Sequence, residues 1–424
     1  MKDKIIITIF QDYKTNIKEY KEYFEDIILI KDVIGRQNCI LEVNGDISIK
    51  NYIGTFSTNR ISLQVLPKIY GFKIIDNSNE IKESLDFVYR LLIWSNYFSF
   101  KTMKATRSID SDNSLLDIII NIFINEFLSL HRKNVYREYI DIEKEELFLK
   151  GKVLFQKSID YKPSKLFRKY VQYDDLTVNN KINQIVKATI TKLLLFAKNA
   201  ENKQLLRQGI KYLEDVDTII LDYSIFKNLN FNRINQPYKP IIDLARIFFN
   251  KTQPGLATGE QKLISFSIQL NLLYEYFIKS LLEKIYKNEL TVQYHNYDYL
   301  AKNKSNNNKF RLEPDFSILN KESETLMILD TKFKNPINSK GNLKVAPSDV
   351  YQMCAYAIKF LCKSIVLIYP YFQGGKVLEN DHYKIINGTN EIIIDIIQIN
   401  LFKRDVDSIE HELKEKLRTI QKSL

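Results

Sequence analysis

The stretch Phe310-Arg311-Leu312-Glu313-Pro314-Asp315-Phe316, followed by Met327-Ile328-Leu329-Asp330-Thr331-Lys332-Phe333, decides the reading of this chain. Fourteen residues separate Asp315 from Asp330. Each acid sits in an apolar run that reads as a strand, Phe310 to Leu319 and Thr325 to Phe333. A charge inside a strand that should feed a core is costly to desolvate. Two carboxylates and a lysine at neighbouring strand ends suit metal-assisted phosphodiester hydrolysis. The carboxylates offer hard oxygen ligands to a divalent cation, and Lys332 can orient water or steady developing charge. A bare D-x-K is common, and Asp330 and Lys332, two apart on one strand face, also fit a plain strand-end salt bridge. Pro314 before Asp315 and the apolar lead-in to Asp330 favour the functional reading.

Three further residues join this set. Glu275 is the one acid in Leu272-Leu273-Tyr274-Glu275-Tyr276-Phe277, and reads equally as a partly exposed helix residue or an extra carboxylate for a metal. Gln352 and Tyr356 are four apart and share a helix face. Gln352 can bond a phosphate, a water or a base edge, whereas Tyr356 on its own reads as helix packing.

Bulk properties are consistent with a nucleic-acid partner. The 424 residues suffice for two or three domains, and a net charge of +11 favours a polyanion, although charge alone fits a lysine-rich solvated surface almost as well. Cys39, Cys354 and Cys362 are too scattered for a disulfide framework or zinc site. The start of the chain lacks a signal-length apolar core, and the runs at Leu115 to Leu130 and Ile392 to Ile399 are interrupted or too short to span a membrane. A cytoplasmic protein is expected.

The pattern predicts an α+β multidomain chain. Residues 1–75 read as a β-rich domain with strands at Ile5 to Phe10, Ile27 to Ile30, Cys39 to Val43, Tyr52 to Phe56 and Ile61 to Leu66. Residues 76–255 read as mainly helical, with a short β excursion at Glu146 to Phe155. Residues 256–424 run as a long helix at Glu260 to Tyr286, strands at Thr291 to Leu300, Phe310 to Leu319 and Leu326 to Phe333, a helix at Asp349 to Leu361, and a strand at Ser364 to Pro370. That order suits a mixed sheet flanked by helices.

Other chemistries find no support. There is no G-x-x-x-x-G-K-[ST] loop; Gly374-Gly375-Lys376 lacks the spacing and the hydroxyl residue. The four histidines, His131, His295, His382 and His411, show no ligand spacing and read as surface or loop residues.

The Asp315 and Asp330-Thr331-Lys332 segments resemble the PD-(D/E)xK nuclease superfamily, and Gln352 with Tyr356 matches the Q-x-x-x-Y element of its RecB-like branch. Beyond that core the chain resembles the McrC family of McrBC type IV restriction systems. The likeness includes Tyr52-Ile53-Gly54, Val65-Leu66-Pro67-Lys68-Ile69, Leu149-Lys150-Gly151-Lys152-Val153 and Tyr173-Asp174-Asp175-Leu176-Thr177-Val178-Asn179 followed by Asn183. The sequence has Lys-Gly-Lys where Arg-Gly-Arg is usual, and Tyr274-Glu275 where Phe-Glu is usual.

The resemblance implies an endodeoxyribonuclease whose N-terminal half docks on an AAA+ GTPase of McrB type and stimulates it, while residues 256–424 form the PD-(D/E)xK core and cut double-stranded, modified DNA. It implies Mg²⁺, with Mn²⁺ as a substitute, held by Asp315, Asp330, Glu275 and the Thr331 backbone carbonyl, with the Thr331 side chain pointing away. Lys332 and Gln352 complete the catalytic set, with Tyr356 in support. GTP would belong to the partner. A non-catalytic regulator of the GTPase and a stand-alone DNA repair nuclease are the alternatives. Arg60, Lys68 and Arg107 are basic candidates for reaching the partner, each reading more simply as surface charge.

Overall fold

The protein is described from a computed structural model over residues 5–69, 77–100, 114–133, 136–158, 168–221, 223–227, 229–249, 263–287, 289–338, 341–373, 375, 377–378, 381–387 and 390–422. Arg107 lies outside these residues.

The N-terminal part is built on two small sheets. In one, β1 (Ile5–Phe10) lies parallel to β6 (Ile61–Leu66), which pairs antiparallel with β5 (Tyr52–Ser57). The other has β4 (Asp46–Ile49) between β2 (Thr15–Asn16) and β3 (Cys39–Leu41). Helix α1 (Phe24–Ile34) packs on them. The expected strand at Ile27 to Ile30 is therefore helical. Its buried positions, Ile27, Ile30 and Ile34, recur three and four apart, a helical spacing. Arg60 is tied to the buried Asp26 at 2.7 Å, and Lys68 sits 3.9 Å from the Tyr13 ring centre, so both have structural partners.

The first sheet is completed from far along the chain. β10 (Ile264–Gln269) pairs antiparallel with β5. Here the expected helix from Glu260 to Tyr286 is corrected: residues 260–262 lie outside the described residues, Ile264 to Gln269 is a strand, and α8 (Leu270–Ile285) begins only after it. Ile264, Phe266 and Ile268 are buried at period two, so the β alternation governs that stretch. Gly54 makes the pairing possible. Its φ is +155°, and a Cβ there would lie 2.1 Å from the Phe266 carbonyl oxygen.

The middle contains helices α2 (Asn77–Trp94), α3 (Leu115–Lys133), α4 (Phe155–Ser158), α5 (Lys181–Phe196), α6 (Ala200–Tyr212) and α7 (Lys239–Phe249). Asn180 caps α5, and buried Asn183 donates to the carbonyls of Tyr136 and Val178, which gives that family-like position a structural role. The expected β excursion is larger than foreseen. β7 (Glu138–Glu146) pairs along its length with β9 (Lys169–Thr177), and β8 (Lys152–Val153) joins the other edge.

The C-terminal part carries a six-stranded mixed sheet in the order β11 (Thr291–Tyr294), β14 (Phe316–Leu319), β15 (Thr325–Thr331), β16 (Ser364–Pro370), β18 (Asn390–Ile399), β17 (Asp381–Asn387). β15, β16 and β18 are parallel, and the outer pairings are antiparallel. Leu329, Val366 and Ile368 face α8 and α10 (Val406–Lys422). Ile328, Ile365 and Leu367 face α9 (Pro347–Lys359). The two predicted strands Thr291 to Leu300 and Phe310 to Leu319 each break in two. Their inner halves join the sheet, and their outer halves, β12 (Asp298–Lys302) and β13 (Asn308–Leu312), pair only with each other. The break in the second falls at Glu313-Pro314-Asp315, where proline removes a ladder donor.

One continuous apolar core links Ile53 of β5, helices α2, α3 and α5, and the α8 face of the large sheet. Among the described residues, no helix is long and apolar enough to cross a membrane.

Candidate active site

Strand pairing brings the two acids together. Phe316 lies opposite Leu329 in the antiparallel β14–β15 ladder, so Asp315, one residue before, falls beside Asp330. Asp330 continues the Ile328 face under α9, and its side chain is only 2% exposed. Asp315 sits in the bend ahead of β14 and keeps an opening to solvent. Lys332 lies just past β15, with its N–H still bonded to the Ile368 carbonyl at 3.0 Å. Its ammonium pairs with Asp330 Oδ2.

Gln352 and Tyr356 extend the set as their helical spacing predicts. Lys332 Nζ donates to Gln352 Oε1 at 3.3 Å, Gln352 Nε2 donates to the Tyr356 hydroxyl at 2.7 Å, and that hydroxyl donates to the Glu313 carbonyl at 3.0 Å. Tyr356 is also buried in the α9 core, so packing and positioning coincide.

Thr331 departs from expectation. Its side chain does not point away: both its N–H and its hydroxyl donate to Asp315 Oδ2, each at 2.6 Å. Asp315 is in a bend rather than a strand, so strand alternation does not bind its position, and its carboxylate reaches across to the next residue.

His295 is the residue that sequence reading set aside. It is a loop residue, as expected, but it bridges two acids. Nε2 lies 2.5 Å from Glu275 Oε1, and Nδ1 lies 3.0 Å from Glu313 Oε1. Arg311 holds the other Glu313 oxygen at 2.9 Å. Ionised carboxylates only accept, so the two contacts favour the imidazole with a proton on both nitrogens, its positive form. Its position follows from register. Tyr294 is opposite Phe316, and the His295 N–H bonds the Asp315 carbonyl at 3.2 Å, with φ at +54°. A lone histidine ending the strand that pairs with the Asp315 strand was the available signal. Glu275 comes from α8, with its side chain 13% exposed.

The electrostatics are those of a negative pocket short of counter-charge. Burial, then the charges of Asp330 and Glu275, push the Asp315 carboxyl up to about 7 against the pull of the Thr331 bonds. Burial raises Asp330 as well, opposed by Lys332. Burial pulls Lys332 down, but Asp330 and the neighbouring acids more than offset it, so its ammonium is held charged. Burial likewise works against His295, and Glu275 and Glu313 outweigh it and raise its pKa.

Residues 47–370 match the family described as McrBC 5-methylcytosine restriction system component. The chain belongs to that family. The matched span, about three quarters of this McrBC-family chain, contains Glu275, Asp315, Asp330, Lys332, Gln352 and Tyr356. No curated protein matches it. Among solved structures it is similar to a chain of the refined half-complex from the tetradecameric assembly of Thermococcus gammatolerans McrB AAA+ hexamers with bound McrC. The TM-score is 0.72 at 18% identity, covering 98% of this chain and 100% of that one. This shows a shared fold. The cryo-EM structure of the Thermococcus gammatolerans McrBC complex matches over 66% of this chain and 88% of that one, at 20% identity and a TM-score of 0.49.

Proposed function

We propose that this chain is a McrC-type nuclease subunit, a metal-dependent endodeoxyribonuclease with a PD-(D/E)xK core in its C-terminal part. It acts in the cytoplasm with a McrB-type AAA+ GTPase on modified double-stranded DNA. The observation that carries the reading is Asp330, almost wholly buried at a strand end, beside Asp315 and paired to Lys332. A buried carboxylate pair with one lysine between them carries a desolvation cost that an apolar strand end avoids.

The donor chemistry fits a hard divalent cation. Asp330 is almost wholly buried with Lys332 paired to it, and burial, then the charges of Asp330 and Glu275, pushes the Asp315 carboxyl towards its protonated form. Among the described residues, no three His, Cys, Asp or Glu side chains form a ready ligand cluster. Mg²⁺ typically binds through one or two carboxylates and keeps several waters, so Asp315 and Asp330 with the Thr331 carbonyl are a sufficient set. Glu275 adds a further carboxylate, steadied by His295. When bound, Mg²⁺, or Mn²⁺ in its place, polarises the scissile phosphate and makes water a stronger nucleophile at neutral pH.

The chain's own residues supply the rest. Lys332 keeps its proton and presents positive charge to the phosphate or the attacking water. Gln352, held between Lys332 and Tyr356, fixes the ammonium and aligns the water or phosphate. Net charge of +11 gives affinity for any duplex, so selecting modified DNA falls to the partner. The sequence has no nucleotide-binding loop of Walker type, which leaves GTP to that partner as well.

The test mixes the chain with a McrB-type GTPase, GTP, Mg²⁺ and methylated plasmid, and scores cleavage and GTP hydrolysis together. Wild type should cut, Asp330→Ala should not, and both should stimulate hydrolysis. Full cutting by Asp330→Ala would sink the site assignment. Stimulation without cutting by either protein would favour a regulatory subunit.

A further inference from the structure

The hairpin β12–β13 buries almost nothing. Every residue from Leu300 to Arg311 is exposed, and the two strands pair with no third. An isolated two-stranded ribbon is marginal in water, because no apolar burial offsets the entropy lost in ordering it. Yet its tip is carefully closed. The Asn303 N–H donates to the Asn307 carbonyl at 3.0 Å, and Asn303 Oδ1 accepts from the N–H groups of Ser305 and Asn307 at 3.0 and 2.9 Å. Among the described residues, no third strand joins the ribbon and its outer part is bare, which leaves it open to another molecule.

Its charge and its root say what it meets. From Tyr299 to Leu312 there are four cations, Lys302, Lys304, Lys309 and Arg311, and no acid. Asp298, at the base, is held by Lys359 of α9 at 3.1 Å. Arg311 leans over the exposed Tyr297 ring at 4.2 Å, and β13 runs through Leu312 straight into Glu313-Pro314-Asp315. The ribbon therefore springs from the catalytic loop itself. Its five-residue strands span roughly 16 Å, enough to follow a duplex groove about 12 Å wide.

We propose that the β12–β13 ribbon is a DNA-binding arm, with Lys302, Lys304 and Lys309 contacting backbone phosphates of the duplex beside the scissile bond. It rests on the nuclease reading of the neighbouring site for the identity of its polyanion. Phosphate contacts position the duplex without reading sequence, in keeping with selection by a partner.

The experiment measures binding of a fluorescein-labelled DNA duplex to the full chain, without divalent metal, across a salt series. Wild type is compared with Lys302→Gln/Lys304→Gln/Lys309→Gln. The triple variant should bind at least tenfold more weakly, and its slope of log affinity against log salt should be shallower by about 2–3, near 0.9 per lost contact. The triple variant should keep full stimulation of GTP hydrolysis. A triple variant with wild-type affinity and slope would overturn the arm. So would unchanged DNA binding with lost stimulation, which would turn the surface towards the protein partner. Should the arm bind as described while wild type never cuts, the nuclease reading fails and the arm stands.

Discussion

Thr331 reaches Asp315 twice, through its backbone N–H and its hydroxyl, both on Oδ2 at 2.6 Å. The residue between the acid and the lysine of the Asp-Thr-Lys segment therefore fixes the other acid. Both bonds favour the ionised form of Asp315 and oppose the burial that raises its pKa. Thr331→Val removes the hydroxyl and keeps the shape. Its acid limb for cleavage should move to higher pH, with activity down about tenfold near neutrality, in line with the usual cost of losing a supporting hydrogen bond at a metal site. Thr331→Ser should behave as wild type. A Thr331→Val profile superimposable on wild type would show that the hydroxyl bond contributes nothing.

Asp315 also ties stability to pH. Its folded pKa, about 7, stands above the ordinary aspartate value of 3.8. A carboxyl raised by folding favours the native state fully below the unfolded value, and that contribution is lost as pH rises through the folded one. The metal-free chain should lose stability between about pH 4 and pH 7 from this group. Asp315→Asn, which can still accept both Thr331 bonds, should be more stable than wild type at pH 8 by roughly 1–3 kcal/mol. Added Mg²⁺ should raise the melting temperature of wild type at pH 8 and leave Asp315→Asn nearly unmoved. Equal melting curves for the two proteins at pH 8 without metal would contradict the crowded-carboxylate account.

The Asp330–Lys332 pair is asymmetric, with side chains 2% and 21% exposed. Lys332→Ala strands a buried carboxylate, and should cost about 3 kcal/mol in urea unfolding of the metal-free chain. Asp330→Ala leaves a lysine that already donates to Gln352 and has some access to water, and should cost markedly less. The reverse ranking would mean that the pair is not the counter-charge system described.

Part of the site was legible because it lies on regular elements or at their ends. Asp330 stands out as a charge in an apolar strand and Asp315 and Lys332 as charges at the ends of such strands, and Gln352 and Tyr356 follow from a helical interval. His295 was not legible, since its role depends on which strand β11 pairs with, and pairing is not written locally. The β7–β9 ribbon was missed for a related reason. Its charged, largely exposed strands carry little apolar alternation to read. Ile264 to Gln269 was taken into the following helix because its apolar spacing runs on into Leu270, and only pairing with β5 reveals the strand.

That last strand makes the final prediction. β10 pairs with β5 and runs directly into α8, which carries Glu275. Gly54 sits at the seam opposite Ser267, where a Cβ would press 2.1 Å from the Phe266 carbonyl oxygen. Backbone cannot swing aside as a side chain does, so Gly54→Ala must part the two strands or bend them. Overpacking of this kind costs about 1–3 kcal/mol. Because the shifted strand continues into α8, the damage should travel to the His295–Glu275 contact, and cleavage should fall more than the loss of stability alone explains. Cleavage and urea unfolding of Gly54→Ala, measured at a temperature where the variant is still folded, separate the two effects. A variant that is destabilised but cuts at the wild-type rate would show that the β5–β10 seam supports the fold without positioning Glu275.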